Sequence, residues 1–520
     1  VTRFRSPASL AVAAVCLAVV APAAPATAAG PGTIHVDCSA TAPGDGSAAR
    51  PVTSLAAVNA TRLRPGQLVL FRRGSRCTGT LAPSGEGRPG APIQIGAYGP
   101  GAQPVIDGAG APDTVLLRNT QWIELRDLEI TNGAAPGSNR RGVHVQLENY
   151  GQGRHYVLQN LDVHDIWGDD TKSTSGSDGI LFSVTGDERP SSFDDVRVVG
   201  NRVAGVNRGG IRLVVSQWEQ RAQAGSTAPY TKPWTPNTGI VVRNNQVSDI
   251  GGDGIVILTA RDAVVEGNHI AGFQRRSAGY NAGLWPWNSD GTTFRHNEVS
   301  GGTTTRDGMA FDVDQGTDGT TFEYNYSHDN AGGFLLLCNA AGRVANAVIR
   351  YNISQNDSYR GVEMCSGGLE SAHVYNNTIY VGPGRSMTVI NENTTAPHNV
   401  RFDNNLVTKE GSGTAAMRLQ PGTAVRTTHN LLYGVTGTVD NPGGSTADPL
   451  LNTPRSATGI DDLDGYHVLT GSPALHAGTI IPGNGGRDVF GRPVPANRPP
   501  TIGAAERPAA GRPSRVPDFW

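Results

Sequence analysis

Short alternations of apolar and polar residues recur along most of this 520-residue chain. Set one above another, DAVVEGNHIAG from Asp262, TTFRHNEVSGG from Thr292, TTFEYNYSHDN from Thr320 and NAVIRYNISQN from Asn346 share one pattern. So do AHVYNNTIY from Ala372, NVRFDNNLV from Asn399 and AVRTTHNLLYG from Ala424. Each has two or three alternating apolar positions, an asparagine, and a further apolar pair. The asparagines are Asn268, Asn297, Asn325, Asn352, Asn377, Asn404 and Asn430, in steps of 25 to 29 residues. Earlier copies, YVLQNLDVHD from Tyr156, VRVVGNRVAG from Val196 and IVVRNNQVSD from Ile240, are spread more widely by insertions. After a glycine-rich turn comes a second strand: GILFSV from Gly179, GIRLVV from Gly210, GIVIL from Gly254, GLWPW from Gly283, GMAFDVD from Gly308 and GFLLLC from Gly333.

A period of two places Ile180 and Phe182, Ile255 and Ile257, or Met309 and Phe311 on one face. A single coil cannot bury that face. Stacking coils about 4.8 Å apart joins the faces into one core and gives every backbone amide a partner on the next coil. The pattern therefore predicts an all-β, parallel, single-stranded solenoid of 25–29 residues per coil. Asparagine at one fixed place per coil predicts a side-chain amide ladder inside a turn. On that reading the Asn-x-Ser/Thr matches at Asn325, Asn352 and Asn376 are by-products of the ladder and carry little weight as glycosylation sites. Residues 54–63 (SLAAVNATRL) read as a short amphipathic helix with a serine cap, covering the open first coil. LVLFRRG, PIQIGAYG and PVIDGAG then begin the solenoid.

Composition agrees with this picture. Glycine is abundant (68 residues), charged residues make up 17% and aromatics 6%, which suits many tight turns and little helix. A net charge of −2 leaves no global field to draw nucleic acid or a membrane surface. The cations are nearly all arginine; the lysines are Lys172, Lys232 and Lys409. Arg3 and Arg5, the apolar run 10–20 and Ala26-Thr27-Ala28 read as an export signal over residues 1–29, too short in its apolar part to span a bilayer. Cys16 falls inside it. The remaining Cys38, Cys77, Cys338 and Cys365 suggest two disulfides in an exported chain. Ser327 to Cys338 and Ser354 to Cys365 have equal length, so Cys338 and Cys365 occupy one place on adjacent coils, with Cα atoms about 5 Å apart. Cys38–Cys77 is taken as the other bridge.

PGQLVLFRRGSRCTGTL with PIQIGAYGPGAQPVIDG resembles the N-terminal coils of secreted right-handed parallel β-helix proteins of the pectate-lyase-like superfamily. The Asn-ladder repeats resemble their middle coils. SPALHAGTIIPGNGGRDVFGRPVPANRPPTIGAAE resembles a closing segment found in many of them. The likeness spans nearly the whole chain after the signal. It implies a right-handed β-helix over residues 30–480, a closing segment over 481–506, a flexible tail over 507–520, and work on carbohydrate. It implies no single chemistry, because the superfamily holds lyases, hydrolases, epimerases and non-catalytic proteins. No catalytic signature of the pectate lyases or polygalacturonases maps onto these residues.

Most Asp-Gly pairs here (Asp178, Asp253, Asp290, Asp307, Asp318) read as turn formers, Asp307 least clearly. The strand GMAFDVD differs. If Met309, Phe311 and Val313 point inward, Asp312 and Asp314 point outward roughly 6–7 Å apart. That spacing suits one carboxyl that protonates a leaving oxygen and another that activates water. The repeat aligns Leu336 with Glu363, placing Glu363 outward two coils on, roughly 10 Å away. The preceding coil presents Trp285 and Trp287, aromatic faces on which sugars stack. His328 and Arg360 are expected at turns bordering the same sheet. The polar reading of an outward face, with the tryptophans covered by the insertion 217–236, stands beside this one.

Three functions follow. The first is a glycoside hydrolase with Asp312 and Asp314 as acid and base, Glu363 and His328 as further catalytic candidates, and Trp285, Trp287 and Arg360 binding substrate. In the second, a polysaccharide lyase, Asp312, Asp314 and Glu363 would bind Ca²⁺ while a base such as Arg360 removes the proton beside a uronate carboxylate. The third is a non-catalytic glycan-binding or cell-surface protein. In each the partner is a polysaccharide, with no nucleic acid, no membrane once the signal is removed, no cofactor beyond that calcium, and a monomeric chain.

Overall fold

A computed structural model describes residues 32–133, 137–172, 176–221 and 232–506. The signal assigned to residues 1–29 and the tail at 507–520 lie outside these. The chain winds as a right-handed parallel β-helix whose walls are three long parallel sheets of 14, 13 and 12 strands. Each coil therefore carries three strands. The apolar positions before each asparagine form the 14-stranded sheet, as in Val264–Glu266 and Thr293–Arg295. The pair after it forms the 13-stranded sheet, as in His269–Ala271 and Glu298–Ser300. The strand after the glycine-rich turn joins the 12-stranded sheet, as in Ile255–Leu258, Leu284–Trp287 and Met309–Val313. Inward residues from all three walls, including Phe182, Ile257, Phe294, Phe311 and Phe322, are fully buried in one continuous core.

The asparagines stand at the corner between the 14- and 13-stranded sheets. Asn201, Asn245, Asn268, Asn297, Asn325, Asn352, Asn377, Asn405 and Asn430 each donate Nδ2 to Oδ1 of the next rung at 2.9–3.2 Å, ending on Asn441. The rung expected at Asn404 belongs instead to Asn405. Asn404 takes the left-handed turn conformation just before it, with φ 55°, and donates Nδ2 to Oδ1 of Asn376 at 3.2 Å. Asn325, Asn352 and Asn376 are buried to 1% exposure or less, in keeping with a structural use of those positions.

The first coil opens with Thr33–Val36, which pairs with Leu68–Arg72. The capping helix is shorter than the sequence suggests. It covers Leu55–Asn59, with Ser54 Oγ accepting from Ala57 N and with Leu55 and Val58 buried on the coil end. Both disulfides form, Cys38–Cys77 and Cys338–Cys365, with Cα separations of 5.3 and 4.9 Å.

The other end departs from the layout drawn from sequence. The last strand in the long sheets is Val435–Thr436, so the coils end well before residue 480. Residues 437–506 run back along the outside of the solenoid. Leu463, Tyr466, Val489 and Phe490 pack on Tyr326, Ile353 and Tyr380. Ile460 N donates to Glu298, Ala504 N to Thr378, and Thr479 N to Asn404. Apolar residues 451–505 thus find their cover on the outer side of the coils, which a repeat pattern alone does not reveal.

Candidate active site

On the outer face of the 12-stranded sheet the pleat sets residues in rows. Parallel register runs one row through Val256, Trp285, Asp312, Leu336, Glu363 and Asn391, and the next through Leu258, Trp287, Asp314, Cys338 and Cys365. The alternation read from GMAFDVD holds from Phe311 on, with Phe311 and Val313 in the core and Asp312 turned away from it; at the strand's start Ala310, rather than Met309, joins the core cluster, and Met309 is buried outside it. This face is nonetheless far from open. Asp312 is 6% exposed and Trp285 is 8% exposed, while Asp314 and Trp287 are half-buried.

Three carboxyls crowd here. Burial, and next to it the charge of Asp314, push the Asp312 carboxyl well above the usual range. One of its oxygens, Oδ1, has no hydrogen-bond partner. Burial raises Asp314 to about 6 against a backbone hydrogen bond from Gln315 N. Burial also raises Asp307 to about 6, and the charges of Asp253 and Glu363 add to it. Asp307 sits at the turn entering the same strand, with φ 52° and its side chain partly exposed. A turn residue thus also carries a raised carboxyl.

Cationic and aromatic groups frame the carboxyls. Lys172 Nζ lies 5.0 Å from the centroid of the Trp285 ring, 3.8 Å from Asp253 Oδ2, and donates to Tyr280 O at 2.7 Å. Its charge opposes the rise at Asp307, Asp312 and Asp314 alike. Asp253 is a turn former, as expected, and also a hub. It accepts the Trp285 indole N–H and the Ala282 N–H, and its other oxygen takes the buried Arg208 guanidinium at 2.6 Å. Trp285 is therefore fixed edge-on, with Lys172 over its ring. The exposed rings in this region are Tyr280 (61%) and Tyr359 (50%), which pack against Arg306 and Arg360.

The remaining candidates divide. Arg360 stays with the cluster, donating to the carbonyls of Asp307 and Thr305 at 2.9 and 3.0 Å. Glu363 is on the expected row but 1% exposed, bound to the Asn391 and Asn393 amides and 3.8 Å from Arg360. Leu336 lies between it and Asp312, so Asp312, Asp314 and Glu363 do not converge as oxygen ligands for calcium. His328 is elsewhere. It lies in Tyr326–His328 of the 13-stranded sheet, between Glu298 and Asp329 at 3.3 and 3.0 Å. Burial opposes its charge, but these two acids outweigh it and raise the imidazole to about 9. The insertion was expected over the tryptophans. Its described ends reach the far end of the same strands, where Arg221 binds Asn288 and Asp290.

Sequence reading missed Lys172, Asp253 and the two exposed tyrosines. Lys172 carried one usable signal, being among three lysines in the chain.

Residues 234–418 match the model of the right-handed beta helix region family. The chain is 29% identical to a lacto-N-biosidase of Bifidobacterium longum, over 64% of its own length. It spans about a quarter of that larger protein, 26%. The crystal structure of a GH136 lacto-N-biosidase from Eubacterium ramulus superimposes with a TM-score of 0.60 at 25% identity, covering 71% of this chain and 67% of that one. Its selenomethionine form gives 0.61.

Proposed function

We propose that this chain is an exported glycoside hydrolase whose reaction takes place at the carboxyl cluster of Asp307, Asp312 and Asp314. The observation that carries this reading is three carboxyls on one strand and the turn entering it, each raised in protonation chiefly by burial and further by neighbouring acids. Glycoside cleavage needs one carboxyl protonated and one ionised, and such a cluster supplies both near neutral pH. The likeness to lacto-N-biosidases supports it. Asp307 and Asp314, both partly exposed, then become the acid–base pair. Asp312, too deeply buried to meet a sugar and kept protonated by that burial, lies between them as a neutral carboxyl. One carboxyl protonates the glycosidic oxygen as the bond to the anomeric carbon breaks. The other delivers water to that carbon or attacks it directly. Tyr280 and Tyr359 offer stacking platforms, and Trp285 is a wall of the site. A calcium-dependent lyase is disfavoured by the separation of its ligands.

The test is cleavage of p-nitrophenyl β-lacto-N-bioside by the whole exported chain, beside Asp307→Asn and Asp314→Asn. Release of nitrophenol that falls about 10²–10⁴-fold in each variant is expected. Cleavage that persists in both would place the chemistry elsewhere. Retention of the sugar without cleavage would mark a binding protein.

A further inference from the structure

On the same outer face, four to six coil steps before Asp312 and roughly 19–29 Å from it, three side chains from successive coils are joined end to end. Ser183, in Asp178–Thr185, donates its hydroxyl to Nε2 of His144 at 2.8 Å. His144, in Arg141–Glu148, meets Oδ1 of Asp113 through Nδ1 at 3.1 Å. Asp113 also takes Arg141 Nε at 2.5 Å. Against its burial, His144 and Arg141 hold the carboxyl below the usual range, so it stays ionised.

The surroundings set this chain apart from the paired polar residues of an ordinary outward face. Between Leu181 and Ser183 the pairing with Gly209–Ser216 slips by a residue. A bulge of this kind interrupts the ladder and re-aims side chains. Beside it lies a cavity of about 160 Å³, faced by Ser183, His144 and Gln146 and walled by Leu181 and Val215. A nucleophile, its base and the base's orienting acid thus end at a partly open, partly apolar pocket.

The geometry points to a second catalytic site, Ser183–His144–Asp113, that hydrolyses short acyl esters carried on carbohydrate bound along this face. Ser183 Oγ attacks the ester carbonyl carbon while its proton passes to His144 Nε2. The bond from that carbon to the alcohol oxygen breaks as the proton moves on to the departing alcohol. Water then attacks the acyl-serine, giving its proton to Nε2, and a carboxylic acid leaves as Ser183 takes the proton back. Asp113 holds Nδ1–H and stabilises the imidazolium throughout. Gln146 pairs in register with Ser183 and lines the same pocket; its amide, which donates one N–H to Thr185 Oγ1 at 3.1 Å, has a second N–H to offer the developing oxyanion. Leu181 and Val215 confine the acyl chain to a few carbons. The carbohydrate part of the substrate rests on the glycoside-hydrolase reading; the ester chemistry does not.

The experiment treats the whole exported chain with a fluorophosphonate probe and maps the adduct by peptide mass. In parallel, hydrolysis of p-nitrophenyl acetate and p-nitrophenyl decanoate is followed for the parent, Ser183→Ala and His144→Asn. One adduct on Ser183 is expected, with acetate hydrolysis falling about a hundredfold or more in both variants and decanoate a poor substrate throughout. An adduct on another residue, no adduct, or acetate hydrolysis unchanged in Ser183→Ala would overturn the proposal. Labelling of the parent decides the matter if a variant fails to fold. Glycoside cleavage measured on the same samples reports on the carboxyl cluster alone, so either reading can fail without the other.

Discussion

Trp285 donates its indole N–H to Oδ1 of Asp253, one coil back, at 3.0 Å. The same carboxylate neutralises Arg208, of which 3% of the side chain is exposed. A single turn residue thus orients an aromatic wall and satisfies a buried cation. Asp253→Ala should cost about 3–5 kcal/mol, because it leaves Arg208 buried and unpaired. Trp285→Phe should keep the fold and weaken substrate binding. Urea midpoints and KM for the two variants separate the effects; equal stability in Asp253→Ala would contradict this account.

Asp312 is a carboxyl with an unpartnered oxygen in a nearly dry place. Its folded pKa lies above the unfolded value near 4, so the folded state binds more protons and loses stability as pH rises through that window. Asp312→Asn removes the ionisation and should stabilise the protein by about 1–3 kcal/mol at pH 7. The gain should vanish near pH 4, which melting curves at the two pH values will show.

On the proposed mechanism Asp307 and Asp314, each raised to about 6, should set the alkaline limb of activity. One must be protonated, so kcat/KM should decline above roughly pH 6, with macroscopic values that belong to the pair. A profile flat to pH 9 would exclude these carboxyls as the acid.

The amide ladder is continuous, so one missing rung exposes its neighbours. Asn325→Ala removes the acceptor of the Asn297 backbone N–H and of one Asn297 side-chain N–H, and removes the side-chain donor to the Phe294 carbonyl. A loss of about 2–4 kcal/mol is expected in denaturant unfolding, far more than for alanine at an exposed asparagine such as Asn399.

His328, raised to about 9, stabilises the fold fully below its unfolded pKa near 6.5 and loses that contribution as pH rises through about 9. Glu298 is lowered to about 2 by His269, His328 and the Ile460 backbone despite its burial, so its contribution holds above about 4.5 and fades as pH falls through about 2. His328→Gln should melt below the parent at pH 6, with the gap closing near pH 10.

Periodicity made the solenoid legible, since every coil repeats one arrangement of apolar positions around one asparagine. It also placed Cys338 beside Cys365 and Leu336 beside Glu363, because those coils have equal length. Where coils differ in length, sequence distance hides spatial order. Ser183 lies 39 residues from His144, and His144 lies 31 from Asp113, across insertions no alignment of repeats bridges. The neighbouring asparagines 404 and 405 cannot be ranked by pattern; only the left-handed turn decides which one stacks. Lys172 reaches Trp285 from a loop outside the repeat, and Asp253 and Asp307 look like any aspartate before glycine.

The segment 437–506 makes the solenoid respond differently to force from its two ends. An unbraced stack of coils peels one coil at a time. Here the returning chain is fastened to Asn404, Thr378 and Glu298, on coils well inside the stack. Pulling on residue 506 loads those attachments in shear, several coils together, before any terminal coil can unwind. Extension from the C-terminal end should therefore give one large rupture followed by small steps, and extension from the N-terminal end only the small ones.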